Sequence, residues 1–138
     1  MDNCILVLGT GGREYAIVKR LKQDSIKLNI NIQILCLLTN INDKIKEYCD
    51  VVTYEDNLID KINILIKEKK IIMSIVGSED FLNAGVGDIF NEANIPCLGP
   101  NILCSQLETS KFFCRTFINS INKISNYNPK YSVYYSKK

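Results

Sequence analysis

The 138-residue sequence contains no histidine, so it lacks the commonest metal ligand and general base. Its six cysteines are Cys4, Cys36, Cys49, Cys97, Cys104 and Cys114, and no two of them form a C-x-x-C pair, so the chain spells out no zinc site. Several of these thiols lie inside apolar runs, where a free cysteine behaves as a small buried hydrophobe; that usage suits a reducing compartment, and a cytoplasmic location is expected. No stretch approaches the ~20 apolar residues of a membrane span. The opening "MDNCILVLG" also lacks the basic region of a signal peptide. The formal net charge of +2 offers no one-sided field, so neither nucleic acid nor an anionic membrane is an expected partner. The run "KEKK" (Lys67 to Lys70) reads as a solvated helix end, and alanine is scarce beside isoleucine, asparagine and lysine, a usage that says little of function.

The length is right for a single core, and 46% of the residues are hydrophobic. "CILVLG" (Cys4 to Gly9) is an apolar run stopped by glycine, the signature of a strand buried on both faces. "IQILCLL" (Ile32 to Leu38), "CDVVTY" (Cys49 to Tyr54), "IIMSIVG" (Ile71 to Gly77) and the short "IPCLGP" read as four more strands. Helical stripes fill the gaps: Gly12 to about Lys22, a brief segment or turn around Asp43 to Tyr48, "LIDKINILIKEKK", and one amphipathic helix over "FLNAGVGDIFNEAN". Strands alternating with helices predict an α/β fold, a Rossmann-like parallel sheet with helices on both faces. Residues 1–100 form this domain, and residues 101–138 form an extension of two further helical segments and a Tyr-rich tail. The tail "SNYNPKYSVYYSKK" reads as a strand or arm without a partner.

In such sheets ligands sit beyond the C-terminal strand ends, where the strand order reverses. Two glycine-ended strands send loops there, "GTGGRE" and "GSED". The helix beginning near Gly12 offers unpaired N–H groups to a phosphate; Gly9, Gly11 and Gly12 would let the backbone come close, and Arg13 could add charge. A dinucleotide site is not favoured, because Glu14 stands at the third glycine position of G-x-G-x-x-G and the second strand ends "LLTN" without a carboxylate. A G-x-x-x-x-G-K-[ST] loop is absent too.

Taken together, three motifs resemble those of the phosphoribosylamine–glycine ligases (glycinamide ribonucleotide synthetases), the ATP-grasp enzymes of de novo purine synthesis. "GTGGREYA" is similar to the family's G-x-G-G-R-E-H-A, "VGSEDFL" to its G-P-E-x-P-L, and "LGPNILCSQLETSKFF" to its G-P followed by a helix close to A-A-Q-L-E-G-S-K-A-F. In that family ATP phosphorylates the carboxylate of glycine, and the amine of phosphoribosylamine attacks the acyl phosphate. The resemblance implies that this chain corresponds to the N-terminal domain, which holds a phosphoribosyl-type ligand through Gly9, Thr10, Gly11, Gly12, Arg13, Glu14 and Glu79. It implies that Lys111, in "TSK", faces the phosphates of ATP where an ATP-grasp is present. In the family ATP and magnesium belong to the ATP-grasp portion, which the resemblance implies lies outside this chain. The chain alone is therefore expected to hold no cofactor and to be catalytically inactive, with a partner ATP-grasp chain or a homo-oligomer as protein partners.

The sequence departs from the family pattern in places. Tyr15 replaces the motif histidine, Ser78 and Phe81 replace the two prolines around Glu79, and "LTNIND" keeps only Asn40 of a P-G-N-A-G-like turn. Plainer roles stand beside the functional ones. The glycines permit a tight turn; Glu14 satisfies an orphan N–H in the first helical turn; Arg13 and Lys111 are solvated; and Ser78 and Asp80 cap the helix before Phe81. A second reading follows, in which the chain is a repurposed, non-enzymatic module acting through protein binding or self-association.

Overall fold

The computed structural model describes residues 2–38, 40, 42–53 and 57–135. The apolar runs become strands β1 (Asn3–Leu8), β2 (Gln33–Leu38), β3 (Asp50–Thr53), β4 (Lys70–Val76) and β5 (Cys97–Leu98). They form one sheet in the order β3-β2-β1-β4-β5, and every pairing is parallel. Tyr54, the expected last residue of the third strand, lies outside the described residues, as do Thr39 and Ile41 of "LTNIND". The central strand is apolar throughout its second half because both its faces are covered: Leu6, Val7 and Leu8 are fully buried.

The pleat sorts the core into two layers. Leu6, Leu8, Leu35 and Leu37 pack with Ile62, Phe81 and Phe90 on one face. These last three come from α3 (Leu58–Glu68), α4 (Glu79–Asn83) and α5 (Val86–Glu92). Val7, Ile34, Cys36 and Leu38 pack on the other face with Val18 and Ile45, from α1 (Gly12–Lys27) and α2 (Asp43–Lys46). The fold is thus the expected α/β, Rossmann-like sheet with helices on both sides. One irregularity marks β4: Cys4 opposes Ile71 but Ile5 opposes Met73, which leaves Ile72 outside the register and 40% exposed.

Three local expectations are corrected. The helix from Gly12 runs past Lys22 to Lys27, supported by the Arg20–Asp24 ion pair at 2.8 Å, and stops where Asn29 turns left-handed at φ 51°. The single helix expected over residues 81–94 is two. It starts earlier, at Glu79, and breaks at Gly85, whose φ of 73° no right-handed helix contains. The break is set by tertiary contact, since Gly87 passes the Pro100 carbonyl so closely that a Cβ there would strike it, while Asp88 accepts a hydrogen bond from Ile102 N at 2.8 Å. The tail, expected as a strand or arm, forms a 3-10 turn at Ser125–Tyr127 and no strand among the described residues. It is not free either. Asn128 donates to Arg115 O (2.9 Å) and to Asn119 Oδ1 (2.7 Å), and Asn119 donates to the Tyr131 hydroxyl (3.2 Å).

The two expected helical segments of the extension are α6 (Ile102–Thr109), capped by Asn101, and α7 (Lys111–Ser120), capped by Ser110. No described helix is long and apolar enough to cross a membrane. All six cysteines are free thiols; Cys4 and Cys36 are buried and Cys104 is exposed. Burial raises the pKa of Cys4. Hydrogen bonding with Cys49, followed by burial, raises that of Cys36.

Two outcomes follow. Gly85→Ala lowers stability by about 1 kcal/mol, read by urea denaturation, because the left-handed backbone penalises any Cβ, while the Ile102 side chain beside it stands at ordinary contact distance and adds no clash. Under native conditions N-ethylmaleimide labels Cys104 first, and Cys4 and Cys36 react only after unfolding, as read by peptide mapping.

Candidate functional site

The chain runs from β1 to β2 on one side of the sheet and returns to β4 on the other, so the strand order reverses at β1 and β4. A crevice must open beyond the carboxyl ends of these two strands, because their following loops diverge to opposite faces. The ladder carries one residue past each strand: Gly9 N donates to Leu37 O at 3.1 Å, and Gly77 N donates to Leu8 O at 3.0 Å. From there Thr10 through Glu14 and Gly77 through Asp80 enclose an open cleft of about 430 Å³.

The structure therefore brings together Thr10, Gly11, Gly12, Arg13, Glu14 and Glu79, and adds Gly77, Ser78 and Asp80 to the same wall. Gly9 is buried beneath that wall, where its carbonyl receives the Cys36 thiol at 3.6 Å. Lys111 is the exposed first residue of α7 and takes no part in lining the cleft.

Each side chain has a definite place. Glu14 is only 3% exposed, and its carboxylate accepts from Gly11 N at 2.5 Å, closing the first turn of α1 from within. Arg13 reaches sideways, with its guanidinium 3.9 Å from the Glu108 carboxylate on α6. Both groups of that pair are largely solvated, so it holds Arg13 weakly. Ser78 occupies the N-cap position of α4 without a side-chain cap bond, and Glu79 and Asp80 form the exposed first turn. The Glu79 side chain makes no hydrogen bond or ion pair with the described residues. The cleft is thus polar and asymmetric: the N-terminus of α1 with Arg13 faces the carboxylates of α4 across it. No cluster of three or more metal-ligating side chains occurs among the described residues.

Sequence reasoning missed Asn42. Its amide donates to Thr10 O at 2.8 Å, and its Oδ1 accepts from Lys44 N at 3.1 Å, so one side chain both caps α2 and latches the loop after β1. The cap was signalled by "ND" before a helical segment; the latch depends on loops that meet only in the fold. Tyr15, which takes the place of the motif histidine, does not line the cleft. It stands edge-on to Tyr48, with ring centroids 5.8 Å apart, under the Lys19 ammonium. The hydrogen bond between Lys19 and the Tyr15 hydroxyl raises the pKa of Lys19.

The family model described as "Phosphoribosylglycinamide synthetase, N domain" matches residues 3–108, from β1 into α6. The chain belongs to this family. Among curated relatives, the phosphoribosylamine–glycine ligase of Fusobacterium nucleatum is 36% identical over 114 residues, covering 83% of this chain and 25% of that protein. The trifunctional purine biosynthetic protein adenosine-3 of Drosophila melanogaster is 36% identical over 121 residues, covering 86% of this chain and 9% of the fly protein. The phosphoribosylamine–glycine ligase of Methanoregula boonei is 34% identical over 138 residues, covering 97% of this chain and 30% of that ligase. The chain thus spans less than a third of the length of each of these relatives.

Asn42→Ala removes both the latch and the cap of α2. A loss of about 1–2 kcal/mol in stability is expected. Amide exchange should quicken at Thr10 to Gly12 as well as in α2, which hydrogen-exchange NMR reads residue by residue.

Proposed function

We propose that this N domain binds a phosphoribosyl-type ligand in the cleft between the loops after β1 and β4, as its part in purine biosynthesis. The observation that carries the reading is the opening at Gly12, the first residue of the 16-residue helix α1, where a Cβ would meet nothing within 4 Å. A phosphate there would receive the free N–H groups of the first helical turn, aided by the dipole and by Arg13. Gly11 contributes no donor, because Glu14 already takes its N–H. At the far side the Glu79 carboxylate, which has no partner among the described residues, would accept hydrogen bonds from ribose hydroxyls or from an amine. The asymmetry of the cleft orients the ligand, with its phosphate towards α1 and its sugar towards α4.

In this reading the ligation of glycine to phosphoribosylamine needs polypeptide beyond the part of the relatives spanned here, in the same chain or a partner. ATP, magnesium and glycine would be held there, and Lys111 would meet ATP only in that setting. A reducing, cytoplasmic location fits the free thiols. A second reading, as a protein-binding module, draws on Leu103, Phe112 and Tyr134, which are 69%, 53% and 91% exposed.

The test is an NMR titration with ribose 5-phosphate, with ATP as a second ligand. Saturable shifts confined to residues 10–14 and 77–80 are expected for ribose 5-phosphate. Gly12→Val should raise Kd at least tenfold, about 1.4 kcal/mol, by filling the opening without disturbing a packed neighbour. Glu79→Ala should weaken binding as well. An absence of saturable shifts at millimolar ribose 5-phosphate overturns this reading and favours the protein-binding one.

A further inference from the structure

We propose that Glu14 is a positioning residue, a carboxylate wedge that fixes the spacing of the two cleft loops, and that Gly9 and Gly77 are glycine because its side chain occupies the space their Cβ atoms would need. Three backbones close on this one side chain. A Cβ built on Gly9 would lie 2.7 Å from both Cγ and Cδ of Glu14, and one on Gly11 would lie 3.0 Å from Oε2. A Cβ on Gly77, in the other loop, would fall on Oε1. Real side chains do not approach as closely as the contacts at Gly9 and Gly77, and rarely as closely as that at Gly11, so the carboxylate and these glycines fit as a unit. Glu14 is buried, its Oε2 holds Gly11 N, and no buried polar side-chain atom among the described residues lacks a partner.

Glycine-rich turns are commonly explained by a ligand that approaches the backbone or by a backbone angle only glycine tolerates. Gly9 has such an angle, φ 133°, but Gly77 does not have a left-handed φ. The atoms nearest to a Cβ on Gly77 all belong to Glu14, so its lack of a side chain follows from this contact and not from its backbone angle. Gly12, by contrast, has nothing near it, and only there is the missing side chain left for a ligand. The loop glycines divide into two kinds: Gly9, Gly11 and Gly77 border the wedge, and Gly12 leaves the cleft open.

The consequence for binding rests on the reading of the cleft as a sugar-phosphate site; the wedge itself does not. Four variants decide both: Gly77→Ala, Glu14→Ala, the double variant Glu14→Ala/Gly77→Ala, and Glu14→Gln. Gly77→Ala should lower the urea midpoint clearly, whereas the same change in the Glu14→Ala background should leave the midpoint unchanged or raise it, because the vacated space accepts the methyl group. Equal effects of Gly77→Ala in the two backgrounds overturn the wedge. If Gly77→Ala alone does not fold, recovery of a folded double variant supports the wedge. A double variant that stays unfolded while Glu14→Ala folds refutes it.

For ribose 5-phosphate, Glu14→Ala should raise Kd at least fivefold. Glu14→Gln keeps the volume and an oxygen for Gly11 N, and should stay within twofold of the wild type. A Glu14→Gln variant as weak as Glu14→Ala means that the charged carboxylate itself contacts the ligand, and the positioning role falls. If wild type shows no saturable binding, the functional reading fails, while the stability comparison still decides the wedge.

Discussion

The burial of β1 on both faces is the constraint from which the rest of the structure follows. A strand with Leu6, Val7 and Leu8 fully enclosed, paired to β2 and to β4, can carry no chemistry along its length. Chemistry can sit only at its end, where the chain leaves the sheet. Since the loops after β1 and β4 leave in opposite directions, that end is also where the surface splits. The cleft is a by-product of topology before it is a product of residue choice.

Residue choice then decides what the cleft can hold. Glu14 draws the first turn of α1 inward and takes Gly11 N for itself, Asn42 ties Thr10 to the neighbouring loop, and Glu108 draws Arg13 aside. What remains open is narrow: the first-turn amides after Gly11 on one side and the acidic turn of α4 on the other. An exposed pair 3.9 Å apart costs little to break, so Arg13 can exchange Glu108 for an anion more readily than a buried arginine could.

The strands and the position of the cleft were legible in the sequence because buried parallel strands are written as unbroken apolar runs, and glycine punctuates two of them at their functional ends. Thr10 to Glu14 and Glu79 are assigned to one site on a different ground, the resemblance of their motifs to those of a known family. What was not legible came from contacts between distant segments. The helix break at Gly85 answers to Pro100 and Ile102, which a local stripe does not reveal. The capping role of Glu14 could be read from its place three residues past Gly11, but its fit against Gly77 could not, since the two meet only across the β1–β4 pairing. The tail's strand-like composition was overruled by Asn128, whose amide finds its partners on α7.

The all-parallel sheet also sets the order in which this domain can assemble. Among the described strands none pair as hairpins; Cys4 must find Gln33 on one side and Ile71 on the other before β1 has both neighbours. Pairings this far apart in sequence are made late and slowly, because a long loop must close before any contact rewards it. On a ribosome, β1 therefore waits for β4 to emerge, with its apolar faces uncovered in the meantime. The cleft has no partial form: half of its wall belongs to a segment that is translated only after the other half has been waiting for its core.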